Sequence, residues 1–382
     1  MGPSAVVKPG IVCLLARAGR RPRNRVALLA SAASVLPDGT HTLDALVEAG
    51  VNIGCVLGPE HGLRSAMAAG GSEPDYIDPQ TGIPVIDAYL ADPRRLRSVL
   101  DEAGVEEILV DLPDVGTRCF TYVSTMCDVL AAAASSGRRV IVLDRPNPLG
   151  GLRVEGPLLE DAFTSFVGRL RVPLRHGLTL GELALVWATG ARSPEPEVVR
   201  AEGWTRPAGA FETGLPWVPP SPNLGSPAAA YCYPGTVLIE GTTLSEGRGS
   251  ASPFEFVGAP FCDGRFARAV RAVGIPGAAI SERHLVPGSG PYSSQRLVGI
   301  GIHPTDRASF RPVRASIVIM ALALELYPEM HFEPEFFDAL AGGSELRERL
   351  ASGQEPDEIE RSWEPQLEKW RADHGDLLIY GQ

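Results

Sequence analysis

Glu60 and His61 stand side by side in Leu57-Gly58-Pro59-Glu60-His61-Gly62, a carboxyl and an imidazole placed where an apolar run stops. Side chains of this kind suit proton transfer to or from a polar substrate. Two other apolar runs end in a similar way. Glu107-Ile108-Leu109-Val110-Asp111-Leu112 leads to Asp114 and, past Gly116, to Arg118; Arg139-Val140-Ile141-Val142-Leu143-Asp144 leads to Arg145 and Asn147. Each charge alone has a structural account, since an aspartate can cap a loop or helix and an arginine can pair with an acid. Taken together, they suit general acid–base work on an uncharged or anionic substrate. Glycoside hydrolysis is such a chemistry, needing one carboxyl that holds a proton and a second group to meet oxocarbenium-like charge. Asp111 and Asp114 also offer oxygen ligands to Mg²⁺, but no further ligand spacing supports a metal, and none is expected.

These residues converge only if the runs that carry them are neighbouring parallel strands. Strands are predicted over 25–30, 51–57, 83–89, 107–112 and 139–144, the last of them closing the series, with helices over 42–49, 93–103 and 121–136. Strands alternating with helices over short links predict an α/β fold, a Rossmann-like, doubly wound and mostly parallel sheet. Ligands of such sheets bind outside the carboxyl ends of the strands. Gly150-Gly151 and the polar Glu160-Asp161 mark an exit, so a first domain over 1–160 carries the strand ends. A smaller α+β domain over 161–382 closes the cleft. In it, Thr179 caps a helix over 180–189, proline and glycine are dense from Ser193 to Pro227, and Val313 to Leu326 is a strongly apolar helix. Charged amphipathic helices follow from Phe336 to Trp370, and Asp376 to Tyr380 forms a closing strand or packed tail.

Three stretches of the second domain offer polar groups, each with a plain alternative. His176 in Arg175-His176-Gly177 is a substrate contact or a satisfied turn histidine. Asn223 in Ser221-Pro222-Asn223 is held out by a rigid loop or is an ordinary turn residue. In the glycine-rich stretch from Glu240 to Ser250, Glu246 and Arg248 form a charged pair beside an anion nest, or a surface loop.

The composition narrows the class. With 382 residues, 44% apolar and 21% charged, the chain is globular and expected to hold two domains. A net charge of −11 argues against nucleic acid or an anionic membrane as partner. The six cysteines show no pairing pattern and read as buried thiols of a reducing compartment. No window approaches the roughly 20 apolar residues of a membrane span. The apolar piece Ile11 to Ala16 is followed by basic residues, not a cleavage site, so a cytoplasmic location is expected. No G-x-G-x-x-G follows the first strand, and P-loop, G-x-S-x-G and H-E-x-x-H patterns are absent, so no cofactor is expected. Oligomeric state is left open.

With these residues assembled, the chain resembles the exo-β-N-acetylmuramidases of the NamZ/YbbC type, which release N-acetylmuramic acid from the non-reducing ends of peptidoglycan-derived glycans. The resemblance rests on Gly58-Pro59-Glu60-His61-Gly62, Asp114-Val115-Gly116-Thr117-Arg118, Tyr122, and Leu143-Asp144-Arg145-Pro146-Asn147-Pro148-Leu149-Gly150-Gly151. It continues in Val154-Glu155-Gly156-Pro157, Arg175-His176-Gly177-Leu178-Thr179, Pro220-Ser221-Pro222-Asn223 and Ser245-Glu246-Gly247-Arg248-Gly249. It implies a cleft between the two domains, with Glu60 as catalytic acid and His61 as its positioning neighbour. Tyr122 and Asp144 join them as catalytic candidates, and Asp114, Arg145, Asn147, Glu155, His176, Asn223 and Glu246 as substrate contacts. Arg118 or Arg248 would meet the lactyl carboxylate of a muropeptide-type glycan. The second catalytic group is left open among a carboxylate, a tyrosine and the substrate's acetamido group. Ala30 to Ser34 replaces the family's Thr-Asn-x-Thr-Gly turn, Pro113 replaces a usual Gln, and Ser65 to Ala69 replaces an acidic loop, which removes polar groups expected near Glu60. A role in cell-wall sugar recycling fits, with an altered-specificity or non-catalytic carbohydrate binder as the alternative.

Overall fold

The computed structural model describes residues 6–16, 22–64 and 67–381. Arg17, Arg20 and Arg21 after the N-terminal apolar piece, and Ser65 and Ala66 of the loop beyond Glu60, lie outside the described residues. The apolar piece itself is helix α1 (Gly10–Ala16).

The first unit is built from β1 (Val26–Ala30), α2 (Thr42–Glu48), β2 (Ile53–Gly58), β3 (Tyr76–Ile77), β4 (Pro84–Asp87), α3 (Pro93–Glu102), β5 (Glu107–Asp111), α4 (Tyr122–Ala134) and β6 (Arg139–Leu143). Every residue of β1, β2 and β5 is buried. Strands covered on both faces lose the inside–outside alternation, which is why they read as unbroken apolar runs. The chain then forms a hairpin, β7 (Glu155–Leu158) with β8 (Pro173–Arg175), helix α5 (Leu180–Ala191) and β9 (Glu197–Val199). The sheet has seven strands in the order β3-β4-β2-β1-β5-β6-β9. Its pairs are parallel except β3 with β4. The strand ending at Leu143 is therefore not the last of the series. β9 pairs with it from beyond residue 160. The chain leaves β1 towards β2 and β4, then returns to β5 and β6 on the other side, so a crevice opens at the carboxyl ends of β1 and β5.

The second unit contains α6 (Pro227–Thr236), a 3₁₀ turn (Val237–Gly241), β10 (Phe256–Ala259), α7 (Gly264–Val273), β11 (Ala278–Leu285), β12 (Leu297–Pro304) and α8 (Pro312–Leu326). α9 (Pro334–Ala341), α10 (Glu345–Ala351) and α11 (Pro356–Asp373) complete it. The three strands form an antiparallel sheet, β10-β12-β11. α6 crosses the start of α8 so closely that a Cβ on Gly235 would lie 1.9 Å from the Pro312 carbonyl oxygen. That contact excludes any side chain at 235 and seats the following turn, which carries Glu240. The C-terminal segment is a packed tail and not a strand. Past a short turn at Gly375–Leu377, Tyr380 is buried, donates to Asp144 Oδ2 at 2.7 Å and accepts from the Ala201 N–H at 2.8 Å. Among the described residues, no helix is long and apolar enough to cross a membrane.

Candidate active site

Glu60 follows directly on the Gly58-Pro59 stop at the end of β2 and is 8% exposed. Its Oε1 accepts from the Gly70 N–H at 2.7 Å, and its Oε2 accepts from the Thr121 hydroxyl. Thr121 is the N-cap residue of α4, so the carboxyl lies at the positive end of a buried helix. Two successive residues in the left-handed region make the turn: His61 at φ 72° and Gly62 at φ 87°. A Cβ at Gly62 would fall 2.3 Å from the Glu73 carboxylate, which holds the Leu63 N–H at 3.0 Å. His61 Nδ1 donates to the Met67 carbonyl at 3.0 Å, and its own N–H bonds to the Gly71 carbonyl at 2.9 Å. A left-handed histidine costs backbone energy, and these bonds hold it in place.

Glu60 and His61 line a cavity of about 380 Å³ between the two units. Tyr89, Phe120, Thr121 and Phe166 come from the first unit and its hairpin; Tyr233, Glu240, Arg248, Phe254 and Phe336 come from the second. Arg248 is clamped. Its Nη2 meets Glu240 Oε1 and Oε2 at 3.0 and 3.1 Å, its Nε lies 3.2 Å from Glu246 Oε1, and its guanidinium stands 4.9 Å from the Phe254 ring centroid. Arg248 Nη1 has no hydrogen-bond partner among the described residues. Burial, opposed by Arg248 and reinforced by the Glu60 charge, pushes the Glu240 carboxyl up. Burial, with Glu240 beside it, pushes Glu246 up to about 7.

The remaining expected site residues do not line this cavity. Tyr122 is buried and donates to the Pro220 carbonyl at 2.8 Å, bracing a loop. Asp144, fully buried, accepts from Gly181 N–H at 2.8 Å at the start of α5 as well as from Tyr380. Arg118 meets no carboxylate: it donates to the carbonyls of Pro157, Val172, Leu340 and Ala341 at 2.6–3.0 Å and bolts the hairpin to α9. Arg145 forks onto Asp111 at 2.6 and 2.8 Å. Asn147 joins the Leu178 carbonyl to the Leu149 N–H, and Glu155 pairs with Arg175 and accepts from Val313 N–H. Asn223 is half-buried in the turn begun by Ser221, and it is Ser221 that reaches the cavity. Asp114 and His176 face each other elsewhere, Nε2 to Oδ2, at 3.4 Å. So the ends of β5 and β6 contribute mainly to holding loops.

Two sequence profiles cover the chain: one described as exo-β-N-acetylmuramidase NamZ, N-terminal, matches residues 26–228, and its C-terminal counterpart matches 231–380. The chain belongs to the exo-β-N-acetylmuramidase NamZ family. It is thereby a glycosidase. It is similar to the peptidoglycan β-N-acetylmuramidase NamZ of Bacillus subtilis (strain 168), at 35% identity over 364 residues, covering 93% of this chain and 87% of the relative. Among solved structures it is similar to a DUF1343 family protein from Bacteroides fragilis NCTC 9343, with a TM-score of 0.89 and 30% identity over 99% of this chain and all of the other. A second DUF1343 family protein of the same organism gives a TM-score of 0.79 at 27% identity, over 98% and 99% of the two chains. These likenesses do not favour the non-catalytic alternative.

Within this NamZ-family chain, two of the departures noted in the sequence fall away from Glu60. Ala33 and Pro113 line a different cavity. The residue that sequence reasoning passed over is Glu240. Its signal was available, a lone acid ending the apolar run Val237-Leu238-Ile239-Glu240 in the second unit. Thr121, the donor to Glu60, entered the sequence reading only as the first residue of the helix over 121–136.

Proposed function

We propose that this chain is an exo-acting β-N-acetylmuramidase in which Glu60 transfers the proton at the glycosidic bond and Arg248 receives the substrate's lactyl carboxylate. The observation that carries the reading is the shared wall: the Glu60 carboxyl and the clamped Arg248, from different units, line one cavity. A carboxyl fixed by two hydrogen bonds is positioned to protonate a leaving oxygen. Arg248 keeps an uncommitted Nη1, and a guanidinium suits a carboxylate. Glu240 acts as a positioning residue that orients the guanidinium, with Glu246 behind it.

The domain division falls best near residue 229, since β9 pairs with β6 and the loop up to Pro227 bonds to Pro148 and Tyr122 of the first unit. Cys55, Cys119, Cys127, Cys232 and Cys262 are buried thiols, which supports a reducing compartment and a cytoplasmic part in cell-wall sugar recycling. Purified protein would be tested on a chromogenic N-acetylmuramide and the matching N-acetylglucosaminide, wild type against Glu60→Gln. The expected result is release from the muramide by wild type and loss of at least about 100-fold in Glu60→Gln, the scale of general acid catalysis. Equal turnover by both proteins would remove Glu60 from the reaction.

A further inference from the structure

Beside the Glu60 cavity, along the same edge of the sheet, lies a second cavity of about 360 Å³ that the proposed chemistry does not use. It opens over the ends of β1, β5 and β6, where the strand order reverses, the position at which open α/β sheets bind ligands. Pro220 lines this cavity and Ser221 the other, so one loop segment, braced by Tyr122, divides them. Its walls are mostly apolar, with Leu36, Pro146, Phe211, Trp217 and Val218 among them, and Phe211 is 60% exposed.

A polar inventory of these walls leaves one group over. Each nitrogen of Arg145 already has a partner, Nε and Nη2 on Asp111 and Nη1 on the Val35 carbonyl. The Thr213 hydroxyl donates to the Ala210 carbonyl and accepts from Leu215 N–H. Asp114 differs. It is 5% exposed, its Oδ2 accepts from Gly116 N–H at 2.6 Å, and its Oδ1 has no partner among the described residues. Behind it, His176 Nδ1 accepts from Leu178 N–H at 3.1 Å, so a neutral ring carries its proton on Nε2. That atom also lacks a hydrogen-bond partner and stands 3.4 Å from Asp114 Oδ2. A buried carboxylate oxygen without a donor is costly, and native proteins seldom leave one. An apolar pocket with one convergent polar group is the common form of a small-molecule site.

We propose that this second cavity is a ligand site distinct from the Glu60 cavity. It takes a small molecule with an apolar body and one hydrogen-bond donor, O–H or N–H, delivered to Asp114 Oδ1.

Isothermal titration calorimetry on the full chain tests this with indole, which has an apolar body and one N–H, against 1-methylindole, which keeps the body and loses the donor. Wild type is expected to bind indole at one site and 1-methylindole about tenfold more weakly or worse, the scale of a hydrogen bond to a charged group. Asp114→Asn should weaken indole to a similar degree. Leu36→Trp, which fills the cavity and leaves Asp114 in place, should abolish binding, and this holds the test open if Asp114→Asn fails to fold. Glu60→Gln should bind indole as wild type does. Tryptamine separates the two donor classes: tighter binding than indole assigns the site to ammonium-bearing ligands, weaker binding to neutral donors. Equal affinity for indole and 1-methylindole, wild-type binding by either cavity variant, weakened binding in Glu60→Gln, or no saturable binding of indole or tryptamine overturns the proposal.

Discussion

Glu246→Gln isolates the charge held behind Arg248. In the wild type, burial and the neighbouring Glu240 push the Glu246 carboxyl from an ordinary 4.5 to about 7. A carboxyl that binds its proton more tightly when folded gives stability that is complete below about 4.5 and lost as pH rises through about 7. At about 1.4 kcal/mol per pH unit the loss is on the order of 3 kcal/mol. Glutamine keeps the shape and removes the titration. Urea unfolding of both proteins across a pH series should therefore show a stability difference that is flat below about pH 4.5, moves towards the variant between about 4.5 and 7, and levels off above. The same titration reaches the cavity. Once Glu246 is ionised, the clamp around Arg248 is more negative, so KM for the anionic muramide should climb through about pH 7 in wild type and stay flatter in the variant. The uncharged glucosaminide should show no such rise. A stability difference independent of pH, or one that moves towards wild type as pH rises, would refute the reasoning.

Arg248→Met should raise KM for the muramide by about 10–100-fold and leave the glucosaminide nearly unchanged, as loss of a charge-assisted contact requires; initial-rate kinetics on both substrates decide it. Arg118→Met leaves four backbone carbonyls without their donor. Chemical denaturation should show it at least about 3 kcal/mol less stable, with KM of the folded fraction unchanged; a raised KM at wild-type stability would return Arg118 to the binding site. Tyr380→Phe removes one donor and one acceptor from the tail's anchorage. It should cost about 1–3 kcal/mol in thermal or urea unfolding without altering kcat.

The centre of the first sheet was legible because β1, β2 and β5 are buried on both faces, so each appears as a continuous apolar run. β9 escaped notice because three residues at a sheet edge make too short a pattern, and it pairs with β6 from beyond residue 160. The site was harder. Strand-end reasoning gathered Glu60, which lines the cavity, together with Asp144, Arg118, Arg145 and Asn147, which do not, because position along a sheet edge does not say which way a side chain points. Their partners lie far off in sequence: Asp144 meets Tyr380 across 236 residues, and Arg118 meets Leu340 across 222. No local spacing encodes such pairs. Glu240 was missed for the converse reason. Its placement depends on how closely α6 crosses α8, which the sequence marks only by a glycine at 235.

The charge balance around the Glu60 cavity bears on the substrate. Glu60 shares the cavity wall with Arg248, and Glu240 and Glu246 pair with it, so with every acid ionised the neighbourhood would be net negative and would repel a sugar carrying a carboxylate. Burial works against that outcome, since it is the largest cause raising both Glu240 and Glu246. A bound sugar that expelled water from the cavity would extend the same effect and favour protons on these acids as the anion arrives. On this view the second unit contributes more than a wall. By drying the carboxyls around Arg248 it leaves the guanidinium less fully neutralised, and Nη1 is the donor still free to meet an anion. The reading makes a distinct demand: muramide binding at about pH 7 should take up protons from solution, and calorimetry in buffers of different ionisation enthalpy would detect it. Glu246→Gln should take up fewer.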